Sequence, residues 1–325
     1  MTGWPAGNGD AAAGRGRMAL APPSGAVRYD VRHTTVYTYS EPVPVCHNEV
    51  HLVPRDMPRQ RLLASALEID PVPAGITTAT DYFGNQVGFF AIEEGHERLE
   101  VAATSSVEVQ PAVPWNQLPV VPWEQVRDEV AGATDPTLLL AREFTLDSPL
   151  VRGQPHLAEW ALGSFTTGRP WAEALVDLTR RIHREFVYDP TATTTSTPVE
   201  EVFAHRRGVC QDFAHLQIAC LRSLGLPARY VSGYLSNERR VHGTAGEGAN
   251  DAGMVGADAS HAWLSCWGGP AGWLDVDPTN DCQADILHVT VGWGRDYGDV
   301  SPIKGVCVGG GRHGMEVAVH VARIA

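Results

Sequence analysis

Arg207-Gly208-Val209-Cys210-Gln211-Asp212-Phe213-Ala214-His215 places a thiol where a helical pattern begins. Counting from Cys210, the apolar residues Phe213, Ala214, Ile218, Leu221 and Leu224 fall on one helical face, and Gly225 and Pro227 stop the run. The first turn of a helix leaves backbone N–H groups unpaired, and the helix dipole adds positive potential there. An anion is favoured at such a place, and the same N–H groups can hold an oxyanion. The plainer reading is a small buried hydrophobe. It suits Cys220, which lies mid-helix, better than Cys210.

Working outward, Ser260-His261-Ala262-Trp263 follows 51 residues after Cys210, and Gly272-Trp273-Leu274-Asp275-Val276-Asp277-Pro278-Thr279 brings a carboxylate 16 residues after His261. Thiol, imidazole and carboxylate are the parts of a cysteine nucleophile with its base and orienter. Residues 261–267 and 273–276 read as two strands joined by Gly268-Gly269-Pro270-Ala271-Gly272. If Trp267 pairs with Trp273, Asp277 falls opposite Trp263 and diagonal to His261 on the same face. A bulge in the turn would shift that register.

Upstream the period is two. Val27, Tyr29, Val31, His33, Thr35 and Tyr37 alternate with other residues, and strand-like runs follow at 49–52, 62–69, 87–92 and 99–109. Several short strands spaced by turns suggest a β-sandwich over residues 27–110. Residues 1–26 are rich in Gly, Ala and Pro and are expected to be a disordered tail, with Met1 and Met18 both open as the start. Residues 111–133, with four prolines and two tryptophans in 111–125, are expected to be a linker. The core is then assigned to 134–325. It has helices from Asp135-Pro136 to Glu143, over 156–162 and from Pro170 onward, then the Cys210 helix and a strand over 228–235. A polar, glycine-rich loop is expected over 236–259, and a last strand pair at 289–291 and 313–324.

Composition narrows the classes. The 325 residues are 43% apolar and 19% charged, as expected of a globular chain with room for two domains. A net charge of −13 speaks against a nucleic-acid partner. No window approaches the roughly 18 apolar residues of a membrane span, and the N-terminus lacks a leader's apolar run. Six cysteines without clustering do not make a disulfide scaffold, so the expected setting is a reducing cytoplasm. Lys304 is the only lysine, which codon bias explains as well as any function does.

These blocks resemble the transglutaminase-like superfamily: Gly208-Val209-Cys210-Gln211-Asp212-Phe213-Ala214, Ala228-Arg229-Tyr230-Val231-Ser232-Gly233-Tyr234, Ser260-His261-Ala262-Trp263, and Asp277-Pro278-Thr279-Asn280. The segment from Val27, with Tyr37-Thr38-Tyr39, Pro54-Arg55 and Asp81-Tyr82-Phe83-Gly84-Asn85, looks like the N-terminal β domain of the bacterial branch. So does Gly294-Arg295-Asp296-Tyr297-Gly298-Asp299-Val300-Ser301-Pro302. The resemblance implies an α+β fold: an N-terminal β-sandwich, then a papain-like, transglutaminase-like core in which the nucleophile's helix packs on an antiparallel sheet. It implies Cys210 as nucleophile, His261 as general base and acid, and Asp277 rather than Asp275 as orienter. The Cys210 N–H is one oxyanion donor and Tyr188 a candidate for the second. Many relatives are acidic where Ser265 stands.

Metal chemistry has little support: His215 and Cys220 are five apart and do not share a helical face with Cys210 as a ligand set. Gly309-Gly310-Gly311 lacks the Lys-Ser/Thr of a phosphate loop. No cofactor and no metal is expected. The expected reaction is acyl transfer on an amide or peptide bond of a peptide or protein substrate through a thioester, with hydrolysis favoured. Transfer to an amine acceptor and a non-catalytic binding protein on the same fold are the alternatives.

Overall fold

In the computed structural model, residues 25–236, 254–256 and 260–324 are described. The expected tail, but for its last two residues, and most of the expected 236–259 loop lie outside them. The chain divides into two compact units. One holds the described residues up to Pro111 together with those from Pro302 onward, and the other is Ala112–Ser301.

The first unit is built on strands β1 (Val27–Val43), β2 (Val45–Val50), β3 (Gln60–Asp70), β4 (Ile76–Thr80), β5 (Gln86–Ile92) and β6 (His96–Val109). Two strands from the far end of the chain, β14 (Ile303–Val308) and β15 (His313–Arg323), complete it. They form two four-stranded sheets, ordered β15-β1-β6-β3 and β14-β2-β5-β4. Alternation supplies the core: Val43, Leu67 and Leu99 from one sheet meet Cys46, Val50 and Phe90 from the other in a single buried cluster. The expected pairing of 289–291 with 313–324 is therefore wrong, and so is the placing of the last strands in the core unit. β15 pairs with β1, Arg323 opposite Tyr29 and His313 opposite Tyr39, whereas residues 289–291 belong to the other unit's sheet. The glycine run 309–311, with positive φ at all three residues, makes the turn between β14 and β15.

The second unit has helices α1 (Trp123–Ala131), α2 (Pro136–Glu143), α3 (Pro155–Ala161), α4 (Trp171–Glu185), α5 (Val199–His205) and α6 (Cys210–Ser223). Its main sheet runs β12-β11-β10-β9-β13, from β9 (Ala228–Leu235), β10 (His261–Trp267), β11 (Trp273–Asp277), β12 (Cys282–Gln283) and β13 (His288–Gly294). A two-stranded parallel pair, β7 (Val187–Tyr188) with β8 (Arg207–Gly208), lies just before α6. The expected linker is not one throughout, because residues 123–131 are helical and Trp123 and Val126 are buried in this unit's core.

Helix α6 is the axis of that core. Every residue from Gln211 to Arg222 is buried, and the buried Gln217 amide donates to Thr179 Oγ1 of α4 at 2.7 Å. Helix α4 covers it with Trp171, Leu175, Leu178 and Ile182, the stripe its spacing predicts. β9 is buried along its whole length, between β10 and β13. At Gly233 even one added carbon would lie 2.1 Å from the Val289 carbonyl oxygen and 2.5 Å from the Trp263 ring. Glycine is the residue that lets β13 and Trp263 close on β9 at this point.

Candidate active site

Cys210 is the first residue of α6, after an extended Val209. The turn is fixed by Asp212: its Oδ2 accepts the Val209 N–H at 2.8 Å and the Thr193 hydroxyl at 2.6 Å. This is half of a capping box, with the carboxylate reaching back to the residue before the helix. Burial raises the Asp212 pKa by more than those two donors lower it. Cys210 is partly exposed, unlike the buried Cys220 and Cys266. Burial pushes both of those thiols up to about 12.

The hairpin has the register that its turn suggests. Trp267 pairs with Trp273, Ser265 with Asp275 and Leu264 with Val276. Asp277 thus comes one rung further toward His261, and His261 Nε2 lies 2.8 Å from Asp277 Oδ2. Asp275 shares that face but sits opposite Ser265, beyond reach of the imidazole. Ser265 is fully buried and opposite Arg229 on β9. The Arg229 guanidinium lies 4.1 Å from the Trp273 ring centroid and 3.7 Å from that of Trp293, so two indoles flank the cation.

A fully buried carboxylate must be compensated or protonated. Asp277 is compensated by five N–H groups. Oδ2 receives His261 Nε2 at 2.8 Å, Asn280 Nδ2 at 2.7 Å and His288 Nε2 at 3.3 Å. Oδ1 receives the backbone N–H groups of Thr279 at 2.9 Å and Asn280 at 3.2 Å. Burial alone would raise its pKa; His261 and His288 outweigh it and hold the carboxyl well below the usual range. An ionised carboxylate only accepts, so both imidazoles carry their proton on Nε2.

For His261 the balance runs the other way. Burial favours the neutral ring, but the charges of Asp277 and then Cys210 outweigh it, and the pKa is raised. Among the described residues no hydrogen bond of ordinary geometry reaches its buried Nδ1, yet Cys210 acts on the ring. Contacts of this kind tighten in a substrate complex. Tyr188 borders the same thiol. It pairs with Gly208 two residues before Cys210, is 37% exposed, and has its pKa raised by burial and by Cys210.

Sequence reading missed four supporting residues. Asn280 anchors Asp277 from one side chain and one backbone N–H, and its Oδ1 accepts the Val255 N–H at 2.9 Å. Its signal was its place after Asp277-Pro278-Thr279. Asp212 and Thr193, which set the first turn of α6, are linked only by the fold. His288 had no local signal at all.

Asp277, Cys282 and His288 have their ligand atoms within 4.8 Å of one another, a set that could be taken for a metal site. The donor chemistry argues otherwise. His288 Nδ1 accepts the Asp285 N–H at 3.3 Å, so its proton sits on Nε2 and no lone pair faces the other two groups. His215, considered as a ligand from the sequence, has its Nε2 occupied by the Tyr297 N–H at 3.1 Å.

A thiol at a helix start and a hairpin imidazole–carboxylate pair on an antiparallel sheet together make the α+β arrangement of a transglutaminase-like core. The chain belongs to the transglutaminase-like superfamily. Residues 29–108 match the bacterial transglutaminase-like N-terminal region and residues 161–278 the transglutaminase-like superfamily core. An uncharacterized protein of Mycobacterium tuberculosis is 43% identical over 292 residues, covering 88% of this chain and 89% of its own. A protein-glutamine gamma-glutamyltransferase of Pseudomonas aeruginosa is 32% identical over 133 residues, 34% of this chain and 18% of that one. Among solved structures, a candidate cysteine protease of Cytophaga hutchinsonii shares the fold, with a TM-score of 0.71 at 20% identity, covering 93% and 92% of the two chains.

Proposed function

We propose that this protein is a cysteine-dependent enzyme that cleaves an amide bond of a peptide or protein through a thioester on Cys210, with water as the acceptor. The observation that carries this reading is the buried His261–Asp277 pair, on whose imidazole Cys210 also acts. Cys210 attacks the carbonyl carbon as thiolate. The negative charge moves to the carbonyl oxygen, which the N–H groups at the start of α6 receive, with the Tyr188 hydroxyl as the second donor. His261 passes its proton to the departing amine, leaving an acyl thioester and a neutral imidazole. The imidazole then takes a proton from water, the hydroxide adds to the thioester, and the carboxylate product leaves with the thiolate restored. Asp277 keeps the ring oriented and stabilises its charge without taking the proton.

Water is favoured because Cys210 and Tyr188 are both partly open to solvent and an exposed thioester meets water first. The second reading, transfer to a primary amine, is favoured by the partial similarity to the Pseudomonas glutamyltransferase. A peptide library incubated with and without a primary amine, read by mass spectrometry, tests both. Hydrolysed products that depend on Cys210 are expected. Amine adducts in excess of hydrolysis would overturn the choice of water, and cleavage unchanged in Cys210→Ala would overturn the nucleophile.

A further inference from the structure

Strands β2 and β14 run antiparallel with Cys46 directly opposite Cys307. Opposed residues in such a pair have Cα atoms about 4.5–5.5 Å apart and side chains on the same face. A disulfide needs about 4.4–6.8 Å. The two thiols differ in setting. Cys307 is exposed, with the Tyr39 hydroxyl 3.8 Å from its sulfur. Cys46 is fully buried, and its sulfur receives the Asn48 side-chain N–H at 3.2 Å and lies 3.8 Å from His96 Nε2.

The tautomer of His96 can be assigned. Its Nδ1 lies 2.8 Å from the Glu94 carbonyl oxygen, which can only accept. The ring proton is therefore on Nδ1, and Nε2 presents its lone pair to the Cys46 thiol. Burial pushes the Cys46 pKa up, Asn48 pulls it down, and Cys307 raises it further, as close thiols do. Cys46 thus keeps its proton at neutral pH, with a base in place to remove it.

We propose that Cys46 and Cys307 form a reversible disulfide, with Cys307 the thiol that meets the oxidant and Cys46 the thiol that closes the bond. The oxidant is a low-molecular-weight disulfide. Cys307 thiolate attacks one sulfur and expels a thiolate, leaving a mixed disulfide on Cys307. Cys46 then attacks the Cys307 sulfur as its proton passes to His96 Nε2, and the second small thiolate leaves. Two protein thiols give up two electrons and two protons, and the small disulfide becomes two thiols. The new bond ties the edge strand β14 to β2. All of these residues lie in the first unit and Cys210 lies in the second, so the proposal is independent of the catalytic reading.

The test uses the full reduced chain, treated with oxidised glutathione, quenched by alkylation and mapped as non-reduced peptides. A linked peptide joining Cys46 to Cys307 is expected as the dominant intramolecular disulfide, with a higher Tm that dithiothreitol reverses. The same link should form in Cys210→Ala. Cys46→Ser should stop at the mixed disulfide on Cys307, and His96→Leu should slow closure about tenfold or more without slowing the first step. A wild-type chain that stops at the mixed disulfide, or links chiefly another pair, overturns the proposal. Closure in His96→Leu as fast as in wild type overturns the role of the base. Wild-type mapping stands even if that variant folds poorly.

Discussion

His288 Nε2 donates to the same Asp277 oxygen, Oδ2, that receives His261 Nε2, at 3.3 and 2.8 Å. The two histidines come from different strands, β13 and β10, and β9 lies between them in the sheet. His288 is locked as a donor by the Asp285 N–H on its other nitrogen. It therefore moderates the basicity of Asp277 as well as fixing its position. His288→Leu should lower kcat about tenfold or more while KM changes little. Relieved of one donor, the carboxylate should hold the His261 proton harder, so the alkaline limb of the kcat/KM profile should move to higher pH. His288→Gln, which keeps an N–H at that end, should restore both. A lower kcat with an unmoved pH profile would leave His288 a packing residue.

Asp275 and Asp277 share a face of β11, and only register separates them. Asp277→Asn should lower kcat by on the order of 10⁴, since an amide in that place can turn its N–H toward the ring and impose the wrong tautomer. Asp275→Asn should stay within about threefold of wild type. Equal losses in the two variants, measured on one peptide substrate, would refute the assignment.

Gly233 offers a test of how tightly the sheet is closed. An alanine there meets a carbonyl oxygen and an indole ring, neither of which can swing aside like the end of a flexible chain. Gly233→Ala should destabilise by about 3 kcal/mol, which thermal unfolding would register as a Tm about 6–12 °C lower. A change below about 1 kcal/mol would mean that β9 and β13 sit further apart than described.

What was legible follows the range of the interactions. The start of α6 was readable because five apolar residues at helical spacing and a Gly-Leu-Pro stop are local signals. Asp277 was readable because a short turn transmits register along a hairpin. Strand β14 was missed and β15 misplaced because partners some 250–290 residues away leave no trace in local periodicity. Helix α1 was hidden by prolines, although Pro122 is its N-cap residue and leaves the helix intact. His288 was out of reach because its donor role depends on the tautomer, which is fixed by the N–H of Asp285 three residues before it in a loop.

The protonation of His261 links the site to stability, with a sign that can be checked. Its folded pKa is pushed up to about 10, against about 6.5 in an unfolded chain. A group raised on folding contributes stability that is fully present below the unfolded pKa and is lost as pH rises through the folded one. Asp277 does the reverse: depressed on folding, it contributes above the ordinary carboxylate pKa and is lost as pH falls below it. The pair should therefore stabilise most between about pH 4 and 6.5. Above that window wild type should lose at most about 1.4 kcal/mol per pH unit from this one proton. His261→Gln keeps an N–H for Asp277 and cannot titrate, so it isolates the term. Urea unfolding of both proteins at pH 6, 7, 8 and 9 should show the difference, wild type minus variant, falling steadily across the series. A flat difference would mean that folding does not raise the imidazole pKa, and His261 would then be largely neutral at pH 8, without the proton that the leaving amine requires.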